Sequence, residues 1–359
     1  MAHDTFSAND GPADKVSADI APADIASGDI ASGDIASGDI AHGVVAIVVT
    51  HNRLPLLATC VAAILGQQPR PERLVVVDSG SGDGTPEWLA AQAEEWDDAL
   101  VVVRQANCGS AGAYHTAFET ALGLGARWIW STDDDGIPQP GALAELLVQA
   151  RHHGLSMVGP LVLAAEDRTT LAFPMQGTRD PDSLMARAVD GLAPGTIALF
   201  NGTLIGRAVF ERIGNVKREM FIWGDEYEFT LRARRAGLKV GTAVKALHVH
   251  PGMSRTEHKV LGGRLGTVET MRADRAPHFF RNMGYIHANY EKAGVIPRMI
   301  AKYTAHYLVN RDFRGLRVFL DSYLSGLRDE YPEELKRPPV RLPLPERPRT
   351  APSSSSEVA

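Results

Sequence analysis

Apolar and polar positions along residues 44–130 repeat in one order: an unbroken apolar run, a polar turn, a helical stripe, then another apolar run. Val44–Thr50 is β-branched at every position but Ala46, the pattern of a strand covered on both faces. Leu54–Leu65 predicts a helix, and Arg73–Asp78 a second strand that ends in the polar loop Ser79–Gly84. Thr85-Pro86 supplies an N-cap and a first-turn proline for the next helix. Leu100–Val103 is a third strand, Asn107–Gly112 turns into a helix over Ala113–Leu124, and Trp128–Trp130 is a fourth strand. Strand starts near 44, 74, 100 and 128 with helices between them are the βαβ rhythm of a parallel sheet.

Farther on, Pro140–His153 reads as a helix and Ser156–Leu163 as a strand. Residues 195–206 predict one or two strands kinked at Asn201-Gly202, and 207–213 a short helix. A basic helix over Phe229–Ala236 is closed by Gly237, and Lys239–His250 is strand-like. Residues 296–330 are helical and mixed in charge, with Tyr303, Tyr307, Phe319 and Tyr323 among their apolar positions.

The ends differ from this body. Ile25–Asp29 recurs as Ile30–Asp34 and Ile35–Asp39, a small polar repeat with one Ile per unit, too apolar-poor to offset ordering entropy. Residues 1–42 are therefore expected to be a disordered tail; 43–290 the main domain; 291–336 a helical extension; and the Pro/Arg-rich 337–359 a second disordered tail. Residues 1–42 hold eight Asp against Lys15, so the chain's −6 less that −7 leaves the remainder near +1. A nearly neutral body argues against a nucleic-acid partner. Cys60 and Cys108 make no disulfide framework, and no apolar run is long enough to span a membrane, so the expected location is cytoplasmic.

Candidate chemistry gathers at the strand ends. Thr50-His51-Asn52-Arg53, Asp78, Asn107–Gly112 and Asp133-Asp134-Asp135 each follow a predicted strand, and ligands of such sheets bind outside the strands' carboxyl ends. Three adjacent carboxylates behind a buried strand need a counter-charge, and hard oxygens suit a divalent cation such as Mg²⁺ or Mn²⁺. A second acidic group, Asp225-Glu226-Tyr227-Glu228, opens a helix, where capping would explain it unless one carboxylate serves as a general base. His248 and His250 are expected on opposite faces of their strand, with His250, before Pro251-Gly252, the better placed to complete a metal shell.

Together, Thr50–Arg53, Val77–Asp83, Asn107-x-Gly-x-x-Gly112, Thr132–Asp135 and Trp223–Glu226 with Leu231-Arg232 resemble the family 2 glycosyltransferases over residues 44–290. Within that family, Ala172-Phe-Pro174, Leu199–Gly202, Phe221–Glu226, His250-Pro251, Leu261–Arg264 and Arg281-Asn-x-Gly-Tyr285 are similar to actinobacterial galactofuranosyltransferases of cell-wall galactan synthesis. The resemblance implies a GT-A fold, a mostly parallel central sheet flanked by helices, with a C-terminal helical extension. It implies a UDP-sugar donor, a polyprenyl-linked glycan acceptor and metal-dependent inverting transfer of galactofuranose. Thr50, Asn52, Arg53, Asp78, Asn107 and Gly112 match the nucleotide and donor loops, Asp133 and Asp135 the metal-diphosphate positions, and His250 the third metal ligand. Asp134 falls nearer the sugar, and the base position falls on Glu226 with Asp225 before it.

Three other readings share parts of this pattern: a rhamnosyltransferase using dTDP-rhamnose, a nucleotide-sugar-binding protein without catalysis, and a nucleotidyltransferase, for which Thr50–Arg53 is a poor phosphate loop. A polyprenyl acceptor would also require peripheral contact with the inner membrane face, for which Arg298, Arg311, Arg314 and Arg317 are the expected residues.

Overall fold

The computed structural model describes residues 40–252 and 256–345. In chain order the elements are β1 (Ile40–Thr50), α1 (Leu54–Leu65), β2 (Arg70–Asp78), α2 (Thr85–Trp96), β3 (Leu100–Gln105), α3 (Gly109–Gly123), β4 (Trp128–Asp133), β5 (Ile137–Pro138), α4 (Ala142–His153) and β6 (Met157–Ala164). They continue as α5 (Pro181–Met185), β7 (Leu192–Pro194), β8 (Thr203–Gly206), α6 (Arg207–Ile213), α7 (Asp225–Arg235), β9 (Val240–His250), β10 (Glu257–Lys259) and β11 (Thr267–Glu269). The last are α8 (Ala276–Tyr290), α9 (Val295–Val309), α10 (Phe313–Leu327), α11 (Glu333–Lys336) and β12 (Arg341–Leu342).

Among the described residues one ten-stranded sheet runs β12-β3-β2-β1-β4-β8-β6-β9-β5, with β7 beside β9. The β3-β2-β1-β4 half is parallel, as the βαβ spacing predicts, while β8 enters antiparallel between β4 and β6. Successive residues of β1 feed opposite cores. Val44, Ala46 and Val48 meet α1, α2 and α4 through Leu57, Leu89 and Leu146; Val45, Ile47 and Val49 meet α3, α6 and α7 through Phe118, Phe210 and Phe229. Period-two alternation therefore explains the unbroken apolar run: each face has its own helical layer, and each buried Val, Ile, Leu or Phe side chain contributes about 1.5–3 kcal/mol.

The helical extension shares its core with the domain before it. Phe279, Phe280 and Met283 of α8 pack with Tyr303 and Tyr307 of α9 and with Phe319 and Tyr323 of α10. By packing, then, α8 belongs with the helices after 290 as well as with the sheet domain before it. α8 and α10 approach closely because Gly284 lies against the Tyr323 carbonyl and Gly326 against the Arg281 carbonyl; an added Cβ would stand 2.3 Å and 1.9 Å from those oxygens.

Three expectations are corrected. Residues 195–202 form no strand, and β8 begins only at Thr203; left-handed φ at Phe200 (63°) and Gly202 (79°) breaks the apolar run, which pattern alone cannot show. The C-terminal tail expected from 337 is ordered through 345, because Arg341 and Leu342 pair with Gln105 and Arg104 on the free edge of β3. β1 likewise starts at Ile40, inside the expected N-terminal tail, by pairing with Arg70. The repeats of residues 1–39 and the end of the chain from 346 lie outside the described residues.

Candidate active site

The carboxyl ends of β1, β2 and β4 place the polar clusters on one rim. Thr50 Oγ1 donates to Asp134 Oδ2 at 2.7 Å, and Arg53 Nη1 reaches Asp134 Oδ1 at 3.0 Å and Asp135 Oδ2 at 2.8 Å. The first loop thus supplies the counter-charge to two of the three carboxylates. It also meets the second loop: Asn52 N–H donates to Ser81 Oγ at 2.8 Å, and Asn52 Oδ1 accepts from the Gly82 N–H at 2.8 Å. The third loop turns inward on itself, with Asn107 Oδ1 accepting from the Gly109 N–H at 2.9 Å. Gly109 has φ +74°, and a Cβ there would fall 2.0 Å from the Phe221 carbonyl oxygen, so only glycine lets α3 begin this close to the segment before α7. Gly112 is buried one turn on, where a Cβ would meet Cys108 Sγ.

Asp133 is treated differently from its neighbours. Its Oδ1 accepts from Tyr114 Oη at 2.5 Å, and burial outweighs that hydrogen bond and the nearby His250 to raise the carboxyl to about 6. Asp135 goes the other way: although burial opposes ionisation, His250 and Arg53 hold its carboxyl below the usual range. Asp133, Asp135 and His250 each offer one ligand atom, all within 4.8 Å of one another. His250 Nε2 lies 3.1 Å from Asp135 Oδ1 and its Nδ1 lies 2.7 Å from the Pro251 carbonyl. A carbonyl only accepts, so Nδ1 carries a proton and Nε2 is the nitrogen turned to the carboxylates, the arrangement a metal-bound imidazole takes. Two carboxylates and an imidazole held this way fit a divalent cation.

The start of α7 lies within electrostatic reach of the triplet. Asp225 is 4% exposed, and burial, with the charge of Asp133 adding to it, raises its carboxyl to about 7. Glu226 is half-buried, and its charge reaches the Tyr114 hydroxyl. Glu228 is instead structural, bound by Arg232 Nη2 at 2.8 Å and by Tyr290 Oη at 2.5 Å. The chain enters α7 through left-handed φ at Phe221 and Trp223, both 62°, and at Gly224, 91°. Aromatic residues in that region are costly and must be held there.

Some placements differ from expectation. His248 and His250 share a face, because residues two apart in a strand point the same way; His248 Nε2 is 3.4 Å from Thr132 Oγ1, buried beneath the triplet, while His250 reaches Asp135. Asp134 spends both oxygens on Thr50 and Arg53 and is 4% exposed, so it locks the first loop to the triplet. Asp78 is fully buried between the Ser81 N–H at 2.9 Å and Arg104 Nε at 2.8 Å, bracing its loop from within. The structure adds Tyr114, Arg104 and Asn282 to the site. Tyr114 had a signal in its place two residues after Gly112, and Asn282 in its Arg281-Asn-x-Gly-Tyr285 motif.

The model of the family described as glycosyl transferase family 2 matches residues 45–214. Over 299 residues the chain is 32% identical to galactofuranosyltransferase GlfT1 of Mycolicibacterium smegmatis, covering 80% of this chain and 97% of that protein. The GlfT1 of Mycobacterium tuberculosis H37Rv is 32% identical over 295 residues, 80% of this chain and 96% of the relative. A shorter match, 32% over 108 residues, reaches an undecaprenyl-phosphate mannosyltransferase of Micrococcus luteus, with 30% and 44% covered. A weaker likeness, to the solved mannosyltransferase PcManGT of Pyrobaculum calidifontis with GDP-Man and Mn²⁺ (TM-score 0.45, 20% identity, 80% of this chain and 74% of that), adds nothing to the assignment. Matched to two relatives over nearly their whole length and to the family model across its parallel half-sheet, the chain belongs to glycosyl transferase family 2 and is a glycosyltransferase of GT-A-like α/β fold.

Proposed function

We propose that this glycosyltransferase moves galactofuranose, with inversion, from UDP-galactofuranose to a rhamnosyl-N-acetylglucosamine polyprenyl diphosphate acceptor. The observation that carries the reading is the Asp133–Asp135–His250 cluster, with Asp225 near enough to feel the Asp133 charge and Glu226 near enough to act on Tyr114, in a chain 32% identical to galactofuranosyltransferases over 97% of one of them. Asp133, Asp135 and His250 would hold Mn²⁺ or Mg²⁺, which when bound offsets the charge of the departing diphosphate. Glu226, half-buried where Asp225 is closed off, takes the acceptor hydroxyl's proton as the new glycosidic bond forms and the anomeric bond to UDP breaks. Thr50 and Arg53 fix the triplet, and the Asn52–Ser81–Gly82 contacts shape the nucleotide subsite.

A polyprenyl acceptor brings the enzyme to a membrane face. No helix among the described residues is long and apolar enough to cross one. The turn between α9 and α10 exposes Leu308, Val309 and Phe313, with Arg311 and Arg314 beside them, which supports peripheral contact with anionic lipid at the cytoplasmic face. The deciding experiment offers synthetic rhamnosyl acceptor with either UDP-galactofuranose or dTDP-rhamnose and reads the product by mass. Gain of a hexose from the UDP donor is expected; gain of a deoxyhexose from dTDP-rhamnose, or release of neither nucleotide, overturns the reading.

A further inference from the structure

The segment Tyr331–Pro343 touches both halves of the site from behind. At one end Tyr331, buried, donates its hydroxyl to Asn282 Oδ1 at 3.1 Å. Asn282 Nδ2 lies 2.8 Å from the Met220 carbonyl, 3.0 Å from that of Ile222 and 2.6 Å from that of Trp223. Those carbonyls belong to the left-handed stretch that delivers Asp225 and Glu226. The three carbonyls only accept, so they fix Nδ2 toward the segment before α7 and leave Oδ1 to take the Tyr331 hydroxyl. At the other end the Val340 carbonyl accepts from the Ala106 N–H at 2.8 Å, and Pro343's carbonyl accepts from Arg104 Nη1 at 2.8 Å. The same guanidinium, through Nε, holds Asp78 Oδ2, and Asp78 Oδ1 holds the Ser81 N–H.

We infer that Tyr331–Pro343 is a strap that positions the two halves of the site separately, the base through Asn282 and the nucleotide loop through Arg104. The inference rests on Glu226 or Asp225 being the base and on the Asp78 loop forming the nucleotide subsite. Tyr331, Asn282 and Arg104 are positioning residues, since each acts through a neighbour. A merely structural strap would lower stability and every kinetic parameter together, whereas this one predicts two separable defects.

The test uses full-length Tyr331→Phe and Arg104→Gln, with Arg104→Lys as the conservative control, followed by donor kinetics and by calorimetric titration with UDP. Tyr331→Phe keeps the ring that Lys217 stacks over at 5.0 Å and removes only the hydroxyl. It is expected to lower kcat by about tenfold while UDP affinity stays within about twofold. Arg104→Gln is expected to weaken UDP by about tenfold with kcat at saturating donor little changed, and Arg104→Lys to recover part of that loss. Wild-type kcat in Tyr331→Phe, or loss of the same parameter in both variants, overturns the strap. The UDP titration does not involve the base, and unimpaired turnover in both Glu226→Gln and Asp225→Asn would remove the base reading instead, so the two failures are told apart.

Discussion

Tyr114 donates its hydroxyl to Asp133 Oδ1 across 2.5 Å, and the same ring stacks on Phe200, with centroids 4.0 Å apart. Phe200 holds φ 63°, so a strained loop, an aromatic stack and one hydrogen bond together aim the carboxylate that lacks an arginine partner. Tyr114→Phe keeps the stack and frees the carboxylate to turn. It is expected to weaken Mn²⁺ binding by about tenfold, as loss of an outer hydrogen bond to a metal ligand does. Titration of the apo protein with Mn²⁺, followed by the spectrum of the free ion, measures this without any turnover; unchanged affinity removes Tyr114 from the metal site.

Asp135 carries two loads, since it accepts from Arg53 and faces His250. Asp135→Ala is expected to abolish stimulation by Mn²⁺ together with transfer, leaving Arg53 with Asp134 alone. Activity assayed across a metal titration checks it: a variant still stimulated by the ion would take Asp135 out of the ligand set. Asp134→Asn should behave differently, losing stability through the Thr50 and Arg53 contacts before losing metal response.

The parallel half-sheet and the shared rim are legible because β1 and β2 carry their period in local residues, and because ligand loops follow strand ends. Asp133, Asp135 and His250 were legible by resemblance, and the structure brings their ligand atoms together. Orientation was not legible. That Asp134 turns into the protein, that Asp78 is buried against Arg104, and that Arg341 completes the edge of β3 all depend on partners far along the chain. The strained φ of Phe200, Phe221 and Trp223 is hidden for the same reason, because aromatic residues locally favour extended backbone.

The α8–α10 crossing gives a stability prediction with a functional consequence. Gly326→Ala would place a methyl 1.9 Å from the Arg281 carbonyl oxygen, so the helices must separate. Overpacking of this kind costs about 1–3 kcal/mol. Because α8 carries Asn282 to the base segment, kcat is expected to fall along with the thermal midpoint. Thermal denaturation and donor kinetics on one preparation test the pairing; a lowered midpoint with wild-type kcat would uncouple the crossing from the site.

The two carboxylates at the start of α7 should separate by opposite effects. Glu226→Gln is expected to lower kcat by about 100-fold or more while retaining UDP affinity, as loss of a general base does. Unimpaired transfer would move the base to Asp225. In the metal-free protein burial raises the Asp225 carboxyl to about 7, against about 3.9 in an unfolded chain. Below about pH 4 both states are protonated and the residue costs nothing. Between about pH 4 and 7 the unfolded chain ionises while the folded one holds its proton, so stability is lost as pH rises through that window. Above it the loss is complete, on the order of a few kcal/mol. Asp225→Asn should therefore match the wild type in urea unfolding at pH 4 and exceed it at pH 8. Equal stability of the two proteins at pH 8 would mean that the buried carboxylate finds compensation in the folded state that its raised pKa does not allow.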